Sequence, residues 1–228
     1  MFSNIFDNLN WSVLTGAILS VIPALICITF HELAHGFTAY RLGDTTAKDM
    51  GRLTLNPIKH IDIFGLVMMM LFKFGWAKPV PINMNNFKRP KWYMAITAAA
   101  GPLSNIIIAV VVLFCYGLLY TALGGSAPAN GAGKVILDII ERTALISVAL
   151  AVFNLFPIQP LDGSKVLFSF FPESAYYQLM KYERFGIILL IVVLNTDFFN
   201  RTVGQLTMSL FSKLEVIAQF AFKLVNHG

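Results

Sequence analysis

The sequence predicts an all-α polytopic membrane protein with about four to six transmembrane helices and a small β-hairpin or re-entrant region between its first two core spans. Hydrophobic residues make up 57% of the 228 residues and charged residues only 13%, whereas soluble domains carry about 25% charged residues. Three long segments contain no charged residue: 12–30, 92–123 and 143–161. No stretch is left over for a soluble domain, so residues 1–228 are predicted to form one integral-membrane domain.

The first core span is predicted over about residues 11–42, with a kink at Pro23. It is longer than the ~20 residues that a helix needs to cross the bilayer. The excess would carry its last residues through the inner half of the bilayer toward the cytoplasm. The N-terminus lacks the basic region of a cleavable signal peptide, so this segment is predicted to be retained.

Residues 43–91 have a different composition, in which glycine, proline, asparagine and basic residues interrupt short apolar runs. Residues 52–55 and 80–83 are typical of short strands. Between them, the apolar run 63–72 is too short to span as a helix, which favours a hairpin or a re-entrant segment. A strand from a bound substrate would satisfy its open edge, which is a hypothesis.

The second and third core spans are predicted over about residues 92–123 and 143–161. Pro157 and Pro160 at the end of the third span should unwind the helix there and free backbone groups to line a site. C-terminal helices are predicted over about residues 177–225. Apolar residues at helical spacing, interrupted by charges, leave two alternatives for the last of them: packing or surface association, which is favoured, or a final span.

The distribution of basic residues predicts the orientation in the membrane. Nine of the 17 lysines and arginines lie between residues 41 and 91, while residues 1–10 and 121–133 have none. The positive-inside tendency places residues 41–91 in the cytoplasm and the N-terminus outside, and the bacterial cytoplasmic membrane is the predicted location. The net charge of +5 therefore indicates a lipid bilayer as partner and not nucleic acid.

A His-Glu-Leu-Ala-His sequence occupies residues 31–35, at the end of the first span. Residues i and i+4 share one face of a helix, so His31 and His35 can offer imidazole nitrogens to a single zinc ion. Glu32 is close enough to hold a water molecule there and take its proton. Ionisable groups at this membrane depth favour a functional site. The alternative is a polar cluster that holds helices together or lines a transport path.

Catalytic zinc usually keeps three protein ligands and one open position. Among the candidates for the third ligand, His60 and His227 lie in or beside polar stretches, while Asp162 directly follows the third uncharged segment. A carboxylate at a broken helix end, with Gly163 beside it allowing close approach, suits a metal ligand. An equally good interpretation is that Asp162 caps the next helix.

Together with the first motif, two further motifs give the chain a resemblance to a known family: Gly-Pro-Leu-Ser-Asn at residues 101–105, and Asn154 followed by Pro160-Leu161-Asp162-Gly163. The chain resembles the site-2 protease family of intramembrane zinc metalloproteases, across roughly residues 23–166. The resemblance implies one zinc ion per chain held by His31, His35 and Asp162, with Glu32 as general base and no organic cofactor. It also implies cleavage of a transmembrane segment of another protein, near the cytoplasmic face.

The resemblance also gives Asn154 a role near the active site, as a hydrogen-bond donor to substrate backbone or to the developing oxyanion. An interhelical hydrogen bond is the alternative for Asn154. Asn105 either helps to bind substrate or pins the second span to the first, and the second role is favoured. The stretch that contains Asn56, His60 and residues 75–81 is assigned to fold or substrate gating. His60 is an improbable ligand because Asp162 completes the set.

Two rival functions are weighed against proteolysis. A metal or proton carrier would use His31, Glu32 and His35 as a relay, but the second span supplies no further ionisable residue and the third only Asp162. An inactive scaffold that binds membrane helices would not need the intact glutamate. The larger family members carry a PDZ or a cystathionine-synthase-type module, and we expect neither here. Cys27 and Cys115 lie in apolar spans and are interpreted as packing residues.

Overall fold

The computed structural model describes residues 11–62, 64–65, 77–126, 128 and 130–226. All regular secondary structure among these residues is helical. The α-helices are α1 (Trp11–Arg41), α2 (Thr46–Asp49), α3 (Pro90–Ala122), α4 (Ala132–Asn154), α5 (Asp162–Phe168), α6 (Glu173–Lys181), α7 (Glu183–Leu194) and α8 (Asp197–Asn226). Short 3-10 helices form at Pro57–His60 and Met84–Asn86. The all-α class is therefore confirmed for these residues.

Two of the described helices are long and apolar enough to cross a membrane, α1 over Leu19–Arg41 and α3 over Pro90–Ala122. A third candidate exists if α7 and α8, which meet at 82°, form one broken span. Helix α4 covers Ala132–Asn154, whereas the sequence predicted a span over residues 143–161. Four charged residues occupy its first half and lower its hydropathy: Lys134, Asp138, Glu141 and Arg142.

Helix α3 lies at the centre of the bundle and packs against α1, α4 and α8. Its buried Ala109 and Leu113 form a core with Val148 of α4 and Phe211 of α8. The last helix therefore packs into the bundle, which is compatible with both alternatives for its role. Both cysteines are free, and the buried Cys27 donates to the carbonyl of Thr143.

The expected β-hairpin in residues 43–91 is not seen in the part of that stretch that the structure describes. Residues 52–55 and 80–83 are irregular and pair with no strand there. Pro79 and Pro81 lack backbone donors, so this piece cannot contribute a regular ladder. Of the apolar run 63–72, all but residues 64 and 65 lie outside the described residues.

The turn between α4 and α5 brings a carboxylate back to the bundle. Helix α4 ends at Asn154, ahead of Pro157, and residues 155–161 form the turn. A Cβ atom added at Gly163 would lie 2.1 Å from the carbonyl oxygen of Leu155, so only glycine allows α5 to start so close to the turn. This close approach fixes the position of Asp162, the first residue of α5.

Candidate metal centre

Helix α1 places His31 and His35 one turn apart on the same face, as their spacing predicts. The two Nε2 atoms are 3.0 Å apart, and both rings are buried, with 7% of each residue exposed. Two ring nitrogens that face each other at this distance share at most one proton. The pair is therefore suited to a cation between them.

Asp162 faces the same point from α5. Its Oδ2 atom lies 3.1 Å from Nε2 of His31 and 3.2 Å from Nε2 of His35. Oδ2 is buried and accepts no hydrogen bond from any described residue, although both rings are within reach. Among the described residues, this is the one group of three histidine, cysteine or acidic side chains whose ligand atoms converge, all within 4.8 Å.

The separations fit zinc. Bonds of about 2.0–2.1 Å at tetrahedral angles put ligand atoms about 3.3 Å apart, close to the 3.0, 3.1 and 3.2 Å seen between the three atoms. A set of two imidazoles and one carboxylate is typical of catalytic zinc, because it leaves the fourth position for water. The orphaned Oδ2 atom is the observation that carries this fit, since a buried carboxylate oxygen without a donor is costly.

The other nitrogen of each ring is held by α3. Nδ1 of His35 donates to the carbonyl oxygen of Thr97 at 2.7 Å, which leaves Nε2 with its lone pair toward the centre. The side-chain amide of Asn105, fully buried, lies 3.2 Å from Nδ1 of His31. A half-turn of the amide exchanges its nitrogen and oxygen. Oδ1, which otherwise has no donor, then faces His31 and can accept its Nδ1–H.

Gly101 completes this face of α3. A Cβ atom at Gly101 would lie 2.4 Å from Nε2 of His35 and 2.6 Å from Cε1 of His31, so no other residue fits. In the sequence, Gly101 stands out only as part of a motif, and Thr97 is not among the predicted site residues. A spacing of four residues from Thr97 to Gly101 to Asn105 places all three on one helix face, and that pattern was the available signal.

Glu32 lies beside the histidines and its Oε2 atom accepts a hydrogen bond of 2.8 Å from the backbone N–H of Val80. It lines a cavity of about 270 Å³ with His31. Helices α4 and α7 and the turn before Asp162 supply most of the remaining wall. The cavity therefore leaves an empty space beside the two histidines and Glu32.

Asn154 lines the same cavity from α4. Its Nδ2 atom donates to the carbonyl oxygen of Leu150, one turn earlier on the same helix, at 2.9 Å. The bond of Asn154 is therefore within its own helix, and the structure does not describe the interhelical bond that was the alternative. The amide sits at the cavity wall with one of its two N–H groups engaged, so a second donor remains.

His60 lies in a different environment, in the 3-10 helix Pro57–His60. Its Nε2 atom contacts the carbonyl oxygen of Thr54 at 2.9 Å, and its own carbonyl accepts the N–H of Lys78. The side chain is buried and serves the loop structure, and it is not among the converging ligand atoms. His227 lies outside the described residues.

A helical bundle with membrane-length helices and a buried His-His-Asp group has the features of an integral-membrane metalloprotein. Comparison with known proteins specifies the class further. The family model described as Peptidase family M50 matches residues 122–195. YwhC of Bacillus subtilis, named as a zinc metalloprotease, is 37% identical over 182 residues, which are 77% of this chain and 80% of that protein.

Two further relatives carry the name Rip2 and are also named as zinc metalloproteases. The one from Mycolicibacterium smegmatis is 29% identical over 196 residues, covering 83% of this chain and 71% of its own. The one from Mycobacterium tuberculosis strain H37Rv is 27% identical over 173 residues, which are 74% of this chain and 63% of that protein. No solved structure matches the chain.

The chain belongs to Peptidase family M50, the site-2 protease family. It is a zinc metalloprotease of the intramembrane type, and its substrates are membrane proteins. The carrier and scaffold alternatives are not favoured by these relatives. The all-helical architecture and apolar helices agree with an integral membrane protein.

Proposed function

We propose that His31, His35 and Asp162 hold the catalytic zinc ion and that Glu32 is the general base for hydrolysis of a peptide bond in a substrate's transmembrane segment. The observation that supports this most strongly is Oδ2 of Asp162, which lies within 3.2 Å of both ring nitrogens and accepts no hydrogen bond from the described residues. A bound cation would satisfy all three lone pairs at once.

Zinc bound there would supply Lewis acidity, which polarises the scissile carbonyl and lowers the pKa of a bound water toward about 7. The second carboxylate oxygen of Glu32 takes a proton from the attacking water, whose oxygen bonds to the carbonyl carbon. The same carboxylate then delivers that proton to the amide nitrogen as the carbon–nitrogen bond breaks. The products are an amine and a carboxylic acid, which keeps the second proton of the water until it ionises to solvent, so the step needs no other reactant.

Asn154 and Asn105 take different parts in this proposal. The free N–H of Asn154 at the cavity wall donates to substrate backbone or to the oxyanion that forms during attack. With its amide turned so that Oδ1 faces the ring, Asn105 accepts the Nδ1–H of His31 and so fixes the ring with Nε2 toward the metal. It also links α3 to α1, in line with the pinning role favoured from the sequence.

The topology that we propose has about four to six spans, with the N-terminus outside and the centre toward the cytoplasmic side of a bacterial cytoplasmic membrane. Its support is the cluster of basic residues that follows α1 and the bacterial origin of the relatives. Residues 43–91 would then form the re-entrant, substrate-facing region. In a protein whose native Cys27 and Cys115 are replaced by alanine, a cysteine introduced as Lys59→Cys should react with an impermeant maleimide only from the cytoplasm, and one introduced as Ser126→Cys only from outside.

Purified protein incubated with a generic transmembrane-helix substrate tests the reaction. The protein should cleave the substrate, and a zinc chelator should abolish cleavage. Glu32→Gln should retain zinc and lose about 10²–10⁴ in rate, the usual contribution of a general base. Glu215→Gln on the exposed side of α8 is the matched control and should cleave normally. Normal cleavage by Glu32→Gln would remove Glu32 as the base.

The ligand set has its own test. Asp162→Ala should lose zinc under conditions in which the wild-type protein retains it, as measured by metal analysis after dialysis against a weak chelator. Asp138→Ala on α4 is the control carboxylate, because it pairs with Lys134 at the surface. Zinc retained at unchanged affinity in Asp162→Ala would exclude Asp162 from the ligands.

A further inference from the structure

Residues 78–83 form a strap that crosses α1 beside the metal centre. The N–H of Val80 donates to Oε2 of Glu32. The Val80 side chain is buried against Gly36, where an added Cβ atom would lie 3.0 Å from Val80 Cγ1 and 2.6 Å from Leu53 Cδ2. The strap therefore touches α1 at the residues next to both histidines.

The centre of the strap has one backbone N–H donor, and that donor is bonded to Glu32. Pro79 and Pro81 have no backbone N–H, so Val80 carries the only N–H of residues 79–81. That donor fixes Oε2 and leaves Oε1 of the carboxylate to meet water. The orientation of Glu32 thus depends on where the backbone of Val80 is held.

Arg52 holds the strap from the other side. Its Nη2 atom donates to the carbonyl oxygens of Lys78 at 2.8 Å and Pro79 at 3.3 Å. The Arg52 side chain is buried, with 7% of the residue exposed, and no carboxylate lies within ion-pair distance among the described residues. Its Nε atom is also buried without an acceptor there.

A buried cation without a counter-charge is expensive, because its desolvation is repaid only by the hydrogen bonds it makes. A purely structural link between two loops needs no charge, since an apolar contact would stabilise it at lower cost. The charge-assisted bonds of Arg52 are directional and grip the peptide immediately before Val80. Such a grip is suited to holding one N–H at a fixed point.

A second buried charge anchors the far end of the strap. Asp44 is fully buried and accepts the backbone N–H of Asn83 at 2.7 Å and the side-chain amide of Asn86 at 2.7 Å. The strap is thus held before Val80 by a guanidinium and after it by a carboxylate. Neither anchor contacts the metal ligands.

We propose that Arg52 is a positioning residue for the reaction, which aligns the catalytic base Glu32 through the strap and the N–H of Val80. The inference rests on the proposed role of Glu32 as base. It assigns a function to the arginine of residues 51–54, Gly-Arg-Leu-Thr, which neither the metal centre nor the cavity uses. Arg52 acts on kcat without touching substrate or metal.

The test compares Arg52→Met, Arg52→Lys and the control Arg201→Met, which removes the charge of an exposed arginine on α8, away from the centre and the strap. Hydrogen exchange of the Val80 amide is measured in the zinc-loaded protein, together with zinc content, kcat and KM on a transmembrane-helix substrate. Arg52→Met should keep zinc, exchange Val80 about tenfold faster or more, and lower kcat by about 10- to 100-fold with KM little changed. Arg52→Lys should be intermediate, because an ammonium cannot reproduce the geometry of a planar guanidinium.

Two results would overturn the inference. Unchanged kcat and unchanged Val80 exchange in Arg52→Met would show that Arg52 does not act on the base. Loss of zinc or of folding in both Arg52 variants would make Arg52 a structural residue of the bundle. Glu32→Gln, measured alongside, distinguishes failure of the proposed base from failure of the role of Arg52. If Glu32→Gln cleaves normally, Glu32 is not the base. If Glu32→Gln is inactive but Arg52→Met is fully active, only the role of Arg52 is excluded.

Discussion

Gly101 of α3 lies so close to His35 of α1 that a methyl group on Gly101 would stand 2.4 Å from the Nε2 atom. Non-bonded heavy atoms settle at about 3.5–4.0 Å, so any side chain here must displace the ring. The hydrogen bond from Nδ1 to the carbonyl oxygen of Thr97 holds the ring on its other side. The imidazole has no room to withdraw.

We therefore expect Gly101→Ala to weaken zinc binding. Changes to the groups that orient zinc ligands typically cost about 10- to 100-fold in metal affinity, and a clash with the ligand itself should cost at least as much. Zinc affinity is measured by competition with a chromogenic chelator. Gly204→Ala on α8 is the matched control, since its Cβ atom would meet nothing within 4 Å.

Equal zinc affinity in Gly101→Ala and Gly204→Ala would show that α3 can move away from the histidines without cost. In that case the close approach of the two helices would not define the centre. Loss of activity with zinc retained would place the effect of Gly101 on substrate entry instead.

The parts of the site that follow from local periodicity could be predicted from the sequence. A spacing of four on a helix brings His31 and His35 together whatever surrounds them. The sequence allows two interpretations of Asp162, because a carboxylate at the start of a helix can serve equally well as a cap or as a ligand. The choice depends on the turn over residues 155–161, which brings α5 back to α1, and such a long-range approach has no local signature.

The strap shows why the irregular region could not be predicted. Residues 80–83 have the composition of a strand, but Pro79 and Pro81 remove the donors of a ladder and side chains take the remaining bonds. The partners are Glu32 and Asp44, which lie about 40–50 residues earlier in the sequence. Tertiary contacts of this kind decide the conformation, so propensity alone predicted strands that the described residues do not contain.

Asn105 should control zinc affinity through His31. Asn105→Leu keeps the volume but offers nothing to Nδ1, so zinc affinity should fall about 10- to 100-fold. Asn105→Asp restores an acceptor for the Nδ1–H and should retain more zinc than Asn105→Leu. Asn195→Leu at the end of α7 is the control, because that exposed amide bonds only to its own helix.

If Asn105→Leu and Asn105→Asp bind zinc equally well, the amide does not orient the ring. A defect confined to KM in both variants would return Asn105 to the substrate-binding alternative. Equilibrium dialysis with zinc and steady-state kinetics on the same preparations distinguish the two results.

Asn154→Ala should lower kcat and leave zinc affinity unchanged, because the amide lines the cavity without reaching the metal ligands. Loss of one donor to an oxyanion typically costs about 10²–10³ in kcat. The bond that the residue makes to Leu150 is local to α4, so the fold should tolerate its loss. An unchanged kcat would leave Asn154 with its role in the helix alone.

Asp44 makes the stability of the strap depend on pH. Burial disfavours the charged carboxylate, but hydrogen bonds from Thr46, Asn83 and Asn86 outweigh burial and hold the pKa of Asp44 below its usual range. A pKa lower in the folded than in the unfolded protein stabilises the fold above the unfolded value of about 3.9. That contribution is lost as the pH falls through the folded-state pKa.

Asp44→Asn should accordingly reduce the free energy of unfolding at pH 7 by about 1.5–3 kcal/mol, the usual worth of hydrogen bonds to a charged group. The difference from wild type should stay constant between pH 7 and pH 5 and shrink below about pH 4, because protonation removes the same charge from the wild-type protein. Thermal unfolding in detergent over this pH range measures it. The exposed Asp49, which accepts one bond from Thr45, gives the control Asp49→Asn, expected to have a much smaller effect at pH 7. A difference between Asp44→Asn and wild type that is as large at pH 3 as at pH 7 would mean that the strap is not anchored by an ionised carboxylate.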